Sequence, residues 1–203
     1  MRRKLKINGN WKEKRVEEYI CSKEGSQLCG TACMNYICGN EGITNKDLCY
    51  NELFWIMDLA NFILERSHFK AILFYFESRL MKDYKNKLID EREHVMHAIN
   101  TFVHLGGVFV EKRFFMEELI HCKEESKWLI LNVRSDVLFE DYSLKGHNHF
   151  VILESCNMEE AVVISPGLEE LHRMFIKSEL LFNALQDNGQ WILSIICNEQ
   201  IGL

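Results

Sequence analysis

The sequence predicts an α+β protein, a helical N-terminal part followed by a mainly antiparallel β-sheet. Three observations carry that expectation. Apolar residues recur at helical spacing in several segments of the first half, and short apolar and β-branched runs take over in the second half. No Pro-, Gly- or Ser-rich linker separates the two halves. Helices first and strands later is the order of an α+β architecture, not of a strictly alternating α/β one.

Residues 29–38 read as a buried helix, because Cys29, Ala32, Cys33, Tyr36 and Ile37 recur at helical spacing and Gly39-Asn40 supplies a stop. Thr44-Asn45-Lys46-Asp47 is a capping-box pattern that opens a second helix toward Leu53. A third spans residues 58–67, with Leu59, Phe62, Ile63 and Arg66 on adjacent faces. Residues 71–76 are an apolar, aromatic run of strand length. Asp90-Glu91-Arg92-Glu93 starts another helix, whose apolar stripe is Val95, Ile99, Phe102 and Val103. Strands are then expected at residues 107–110, 128–133, 149–153, 161–164 and 191–196, interrupted by one amphipathic helix over residues 168–185.

The chain has 203 residues, 47% of them hydrophobic, and carries 24 Lys+Arg against 30 Asp+Glu. That length and composition fit one domain with a sizeable core and exclude a fibrous or low-complexity chain. The charge is uneven. Residues 1–20 form a basic arm (Arg2, Arg3, Lys4, Lys6, Lys12, Lys14, Arg15), and residues 21–203 form a single acidic domain. An acidic body argues against a nucleic-acid partner, since phosphate neutralisation supplies most non-specific affinity. No apolar run reaches the ~18 residues of a membrane span, and the basic start lacks a signal-peptide apolar segment. The expectation is a cytoplasmic protein without a membrane partner. Its eight cysteines then read as thiols, ligands or a nucleophile rather than a disulfide framework.

Two constellations can carry chemistry. In Ser26-Gln27-Leu28-Cys29-Gly30-Thr31-Ala32-Cys33, Cys29 sits at the first turn of a helix. Unpaired N–H groups and the helix dipole favour an anion there, which predicts a lowered thiol pKa. Such a thiolate can attack a carbonyl while its own N–H helps to hold the oxyanion. In Gly146-His147-Asn148-His149-Phe150-Val151-Ile152-Leu153, His149 enters a buried strand and suits a base held in a cleft, whereas His147 lies in the loop. The following strand ends at Ser165-Pro166, where a third residue can orient the imidazole. Read singly, Cys29 is equally a small core residue and His149 a structural one.

Taken together, Cys-Gly-x-Ala-Cys on a helix, then His-Phe-Val-Ile-Leu, then a strand ending before Pro, resemble papain-like cysteine peptidases of the bacteriocin-leader-processing type. The chain is most similar to the guanylyl cyclase domain-containing protein family. Further matches are residues 55–60 (Trp-Ile-Met-Asp-Leu-Ala), residues 110–113 (Val-Glu-Lys-Arg) and Phe182-Asn183-Ala184 before the last strand, so the likeness covers roughly residues 21–197. It implies a papain-like fold with Cys29 as nucleophile and His149 as base. Two positions depart from the family pattern. Lys23 stands where the family has the Gln that donates to the oxyanion, leaving Gln27 as the nearest substitute. Ser165 stands where the family has Asp or Asn.

The resulting expectation is a cysteine-dependent hydrolase or acyltransferase acting on an amide, ester or thioester of a peptide, protein or acyl substrate. No cofactor and no metal are expected. Cys29 with Cys33, and His94 with His97, have helical ligand spacing, but neither pair is joined by a second one as structural zinc needs. Trp55 and Asp58 read as a core Trp and a helix-cap Asp rather than a subsite. The alternatives are a non-catalytic papain-like binding module and, third, a nucleotide-binding cyclase-like protein, for which no phosphate loop is present.

Overall fold

The structure, a computed structural model, describes residues 29–43, 56–75, 89–145, 148–166, 171–186 and 190–197. In chain order it comprises α1 (Cys29–Glu41), α2 (Ile56–Arg66), β1 (Lys70–Tyr75), α3 (Ile89–His104), β2 (Val108–Glu111), α4 (Met116–Glu125), β3 (Trp128–Arg134) and α5 (Ser135–Leu138). A 3-10 turn follows at Tyr142–Leu144, then β4 (Asn148–Cys156), β5 (Glu160–Pro166), β6 (Leu171–Lys177), α6 (Ser178–Gln186) and β7 (Ile192–Ile196). The basic arm, Lys23, Gln27, Trp55, His147 and the helix expected from Thr44 toward Leu53 all lie outside the described residues.

The strands form one mixed sheet in the order β2-β1-β7-β3-β4-β5-β6. Only β1 and β2 run parallel, and every other neighbouring pair is antiparallel. The α+β class is therefore as expected. Each face of the sheet carries its own core. On the first, Met34, Ile37, Met57, Ile63 and Phe102 of α1, α2 and α3 pack on Leu73, Ile130, Phe150, Ile152, Ile164 and Leu193. On the second, Leu119, Leu138, Leu181 and Leu185 of α4, α5 and α6 pack on Leu129, Leu131, Val133, Val151, Leu153 and Val163. Consecutive strand residues alternate between the two cores, as the two-residue period of a strand requires. A fully buried Leu, Ile or Met contributes about 1.5–3 kcal/mol, so both faces are strongly fixed.

Helix ends follow local chemistry. α1 runs past Gly39-Asn40, the stop expected from sequence, to Glu41. Gly42 then takes φ +67°, and the Ile43 N–H donates to Cys38 O at 2.9 Å. That is a Schellman end, which places the glycine after the helix and not within it. The same motif closes α3: Gly106 has φ +85° and the Gly107 N–H donates to Phe102 O at 2.8 Å. Glu41 then ties α1 to the sheet, accepting from Lys127 Nζ at 2.6 Å and from Trp128 Nε1 at 2.8 Å.

Two expectations need correction. The single helix over residues 168–185 is instead a strand, β6, followed by the shorter helix α6. Residues 171–177 pair along β5 from Pro166↔Leu171 to Glu160↔Lys177. The break falls at Ser178, which is fully buried. Its Oγ donates to Asn157 O at 2.6 Å, and its N–H donates to Glu159 O at 3.1 Å. The β4–β5 turn thus grips Ser178 and starts a new helix there. Second, α4 was not expected at all. It opens without a Ser, Thr, Asp or Asn cap, but Glu118 Oε2 accepts the Phe115 N–H at 2.9 Å.

Candidate active site

The site is assembled where α1 begins and where β4 and β5 meet. Extending the register Ile152↔Ile164 pairs Phe150 with Pro166, which has no N–H to offer the ladder. α1 uses the groups left there. Cys33 Sγ, one turn into α1, lies 3.6 Å from Phe150 O. The Cys29 thiol lies against the Phe150 N–H, that is, against the peptide bond joining His149 to Phe150.

His149 and Ser165 occupy the diagonal of the same pair. His149 Nε2 is 3.0 Å from Ser165 Oγ. The third residue expected at the end of β5 is therefore in contact with the ring. His149 is directly opposite Val133 and its ring centroid is 5.6 Å from that of Phe139, so it projects from the face carrying the second core. Cys29 packs on the first. The thiol and the ring thus stand on opposite faces at the start of β4, linked by the His149–Phe150 peptide, and Ser165 engages the ring at Nε2.

The electrostatics reverse one expectation. The helix start was expected to lower the Cys29 pKa, yet burial pushes this thiol up. The N–H groups of Phe150, Gly30 and Cys29 itself pull it only part of the way back. Burial also drives the His149 pKa down to about 4. Both changes disfavour charge, so at neutral pH the resting pair is a thiol and a neutral imidazole. Ser165, a neutral partner, supplies no carboxylate to oppose that.

The neighbouring side chain that sequence reading missed is Asn132. It lies across from Phe150 on β3, hence on the face that α1 covers. Its Oδ1 is buried and has no hydrogen-bond partner. Its N–H donates to Trp191 O at 3.0 Å, and Trp191 stacks on Tyr75 with centroids 5.5 Å apart. A polar residue inside an otherwise apolar strand run, Trp-Leu-Ile-Leu-Asn-Val, was the available signal.

The other candidates fall on α2 and α3. Asp58 sits in the first turn of α2 and His97 is exposed on α3. Among the described residues no group of three or more His, Cys, Asp or Glu side chains comes together as a metal site would need. The six described cysteines are free thiols, and no described helix is long and apolar enough to cross a membrane.

No protein-family model matches the chain, and neither a curated protein nor a solved structure is found similar to it.

Proposed function

We propose that this chain is a papain-like thiol enzyme, a hydrolase or acyltransferase that passes an acyl group through Cys29. The observation that carries the reading is the 3.0 Å contact of His149 Nε2 with Ser165 Oγ while the Cys29 thiol lies against the His149–Phe150 peptide bond. Three motifs far apart in sequence come to one strand end, which supports the roles their resemblance implies.

The raised thiol and lowered imidazole argue for general-base attack rather than a standing ion pair. Because Cys29 and His149 stand on opposite faces at the start of β4, the thiol proton passes around the strand end through a bridging water to His149 Nδ1 as Cys29 Sγ forms a bond to the substrate carbonyl carbon. The carbonyl oxygen becomes an oxyanion beside the N–H groups at the start of α1. Collapse breaks the carbon–leaving-group bond, and the imidazolium returns the proton to the departing amine, alcohol or thiol. Water or an acceptor amine then gives its proton to His149, attacks the thioester, and releases Cys29 as a thiol. A reducing compartment suits a chain whose described cysteines are all free.

Turnover of a panel of peptide amides, aryl esters and acyl thioesters tests the reading. At least one class is hydrolysed or aminolysed by the wild type, and Cys29→Ala abolishes that turnover. Turnover that survives Cys29→Ala excludes the proposal. The binding-module reading, favoured by the absence of a carboxylate at Ser165, instead predicts peptide binding that Cys29→Ala leaves unchanged, with no turnover.

A further inference from the structure

The bond between His149 and Ser165 has a direction, and the chemistry depends on it. A neutral imidazole has one N–H and one acceptor nitrogen, and a hydroxyl has one proton and two lone pairs. For His149 to take the thiol proton at Nδ1, Nε2 must carry the ring proton and donate it to Ser165 Oγ. The Ser165 proton then needs a different acceptor. If Ser165 instead donates to Nε2, the ring proton sits on Nδ1 and the base is blocked.

Ser165 is 2% exposed, so bulk water does not meet that need. The sheet offers a side chain in the right place. β6 pairs Ser165 directly with His172. Directly opposed residues share a face and have Cβ atoms about 4.5–5.5 Å apart, within hydrogen-bonding reach of a hydroxyl and an imidazole. Met174 and Ile176, which alternate with Arg173 and Phe175, pack on the second core, so His172 stands on the face that carries His149 and Ser165. The three residues then form a row across β4, β5 and β6.

We propose that His172 is a positioning residue: a ring nitrogen accepts the Ser165 O–H and thereby holds His149 in the Nε2–H tautomer. The chain runs His149 Nε2–H to Ser165 Oγ, then Ser165 O–H to a ring nitrogen of His172. It does by hydrogen-bond direction what a carboxylate would do by accepting from Nε2–H directly. Its functional consequence rests on the acyl-transfer reading, but the tautomer is measurable without any activity.

Nitrogen-15 NMR of histidine-labelled protein at neutral pH reads the tautomer, with the His149 signals assigned by their loss in His149→Gln. The wild type shows His149 protonated at Nε2. In His172→Leu, which has no acceptor, Ser165 turns to His149 and the Nδ1–H form dominates. In His172→Gln, whose Oε1 restores an acceptor, the Nε2–H form returns. Dispersed amide signals in each spectrum report folding. An Nδ1–H form in the wild type, or an unchanged Nε2–H form in folded His172→Leu, overturns the proposal. Cys29 acylation is expected to fall by about 10²-fold or more in His172→Leu and to recover in His172→Gln. If no donor acylates Cys29 while the tautomer shifts as described, the acyl-transfer reading fails and the hydrogen-bond chain stands.

Discussion

His149 and Ser165 are joined across β4 and β5 by a 3.0 Å contact between Nε2 and Oγ. The partner is neutral and the ring is buried, which sets the pH behaviour of both the fold and the site.

The first consequence is acid sensitivity of stability. Burial holds the folded-state pKa of His149 at about 4, below the ordinary 6.5. The unfolded chain therefore binds a proton at this residue that the fold does not, and stability falls as pH drops from 6.5 toward 4. The full loss is roughly 3 kcal/mol, reached near pH 4, with no contribution above pH 7. Urea denaturation of wild type and His149→Leu across that range isolates the effect. The wild-type curve falls more steeply; parallel curves would contradict the assignment.

Ser165→Asp places an anion beside the ring. The His149 pKa then rises from about 4 by about one to three units, since an opposite charge favours the imidazolium. An NMR titration of His149 measures the shift. A midpoint that stays near the wild-type value would mean that the Ser165 side chain does not face the imidazole.

These two residues show how much of the site was legible. A histidine abutting an apolar run, and a residue just before Pro166, can be placed on strands from sequence because strand period and proline restriction are local rules. The sign of the Cys29 shift was not legible. Helix-start dipoles are local, but the burial that outweighs them comes from β4 packing on α1, more than a hundred residues away. β6 was missed because Leu171, Met174 and Phe175 continue into Leu181, Phe182 and Leu185 at spacings a helix also satisfies. The grip of Asn157 and Glu159 on Ser178, which breaks the two apart, is a tertiary contact.

Asn132 illustrates a group whose cost is visible only in the fold. Its buried Oδ1 has no partner, and a buried unpaired acceptor is destabilising. Asn132→Val should raise stability by about 1 kcal/mol, since valine also suits a strand interior. Thermal unfolding tests this, and a destabilised Asn132→Val would show that the amide has a structural partner.

Gln190 holds the entry to β7. It has φ +52° and is 1% exposed. Its Oε1 accepts the Phe114 N–H at 2.8 Å and its Nε2 donates to Phe114 O at 2.9 Å, imitating a strand pair across 76 residues of sequence. Gln190→Ala strands both Phe114 groups and should cost about 3 kcal/mol. Gln190→Gly should cost about 1 kcal/mol less, because glycine relieves the left-handed backbone. Urea midpoints give both values; equal losses would remove the backbone contribution.

Acylation of Cys29 tests the central claim most directly. Intact-mass and peptide-mapping spectrometry after exposure to an acyl thioester should find one adduct, on Cys29, absent from Cys29→Ala. In His149→Ala it should form about 10²–10⁴ times more slowly at neutral pH, the usual contribution of a general base. An adduct rate that His149→Ala leaves unchanged, or acylation spread over the other thiols with none preferred at Cys29, would contradict the account.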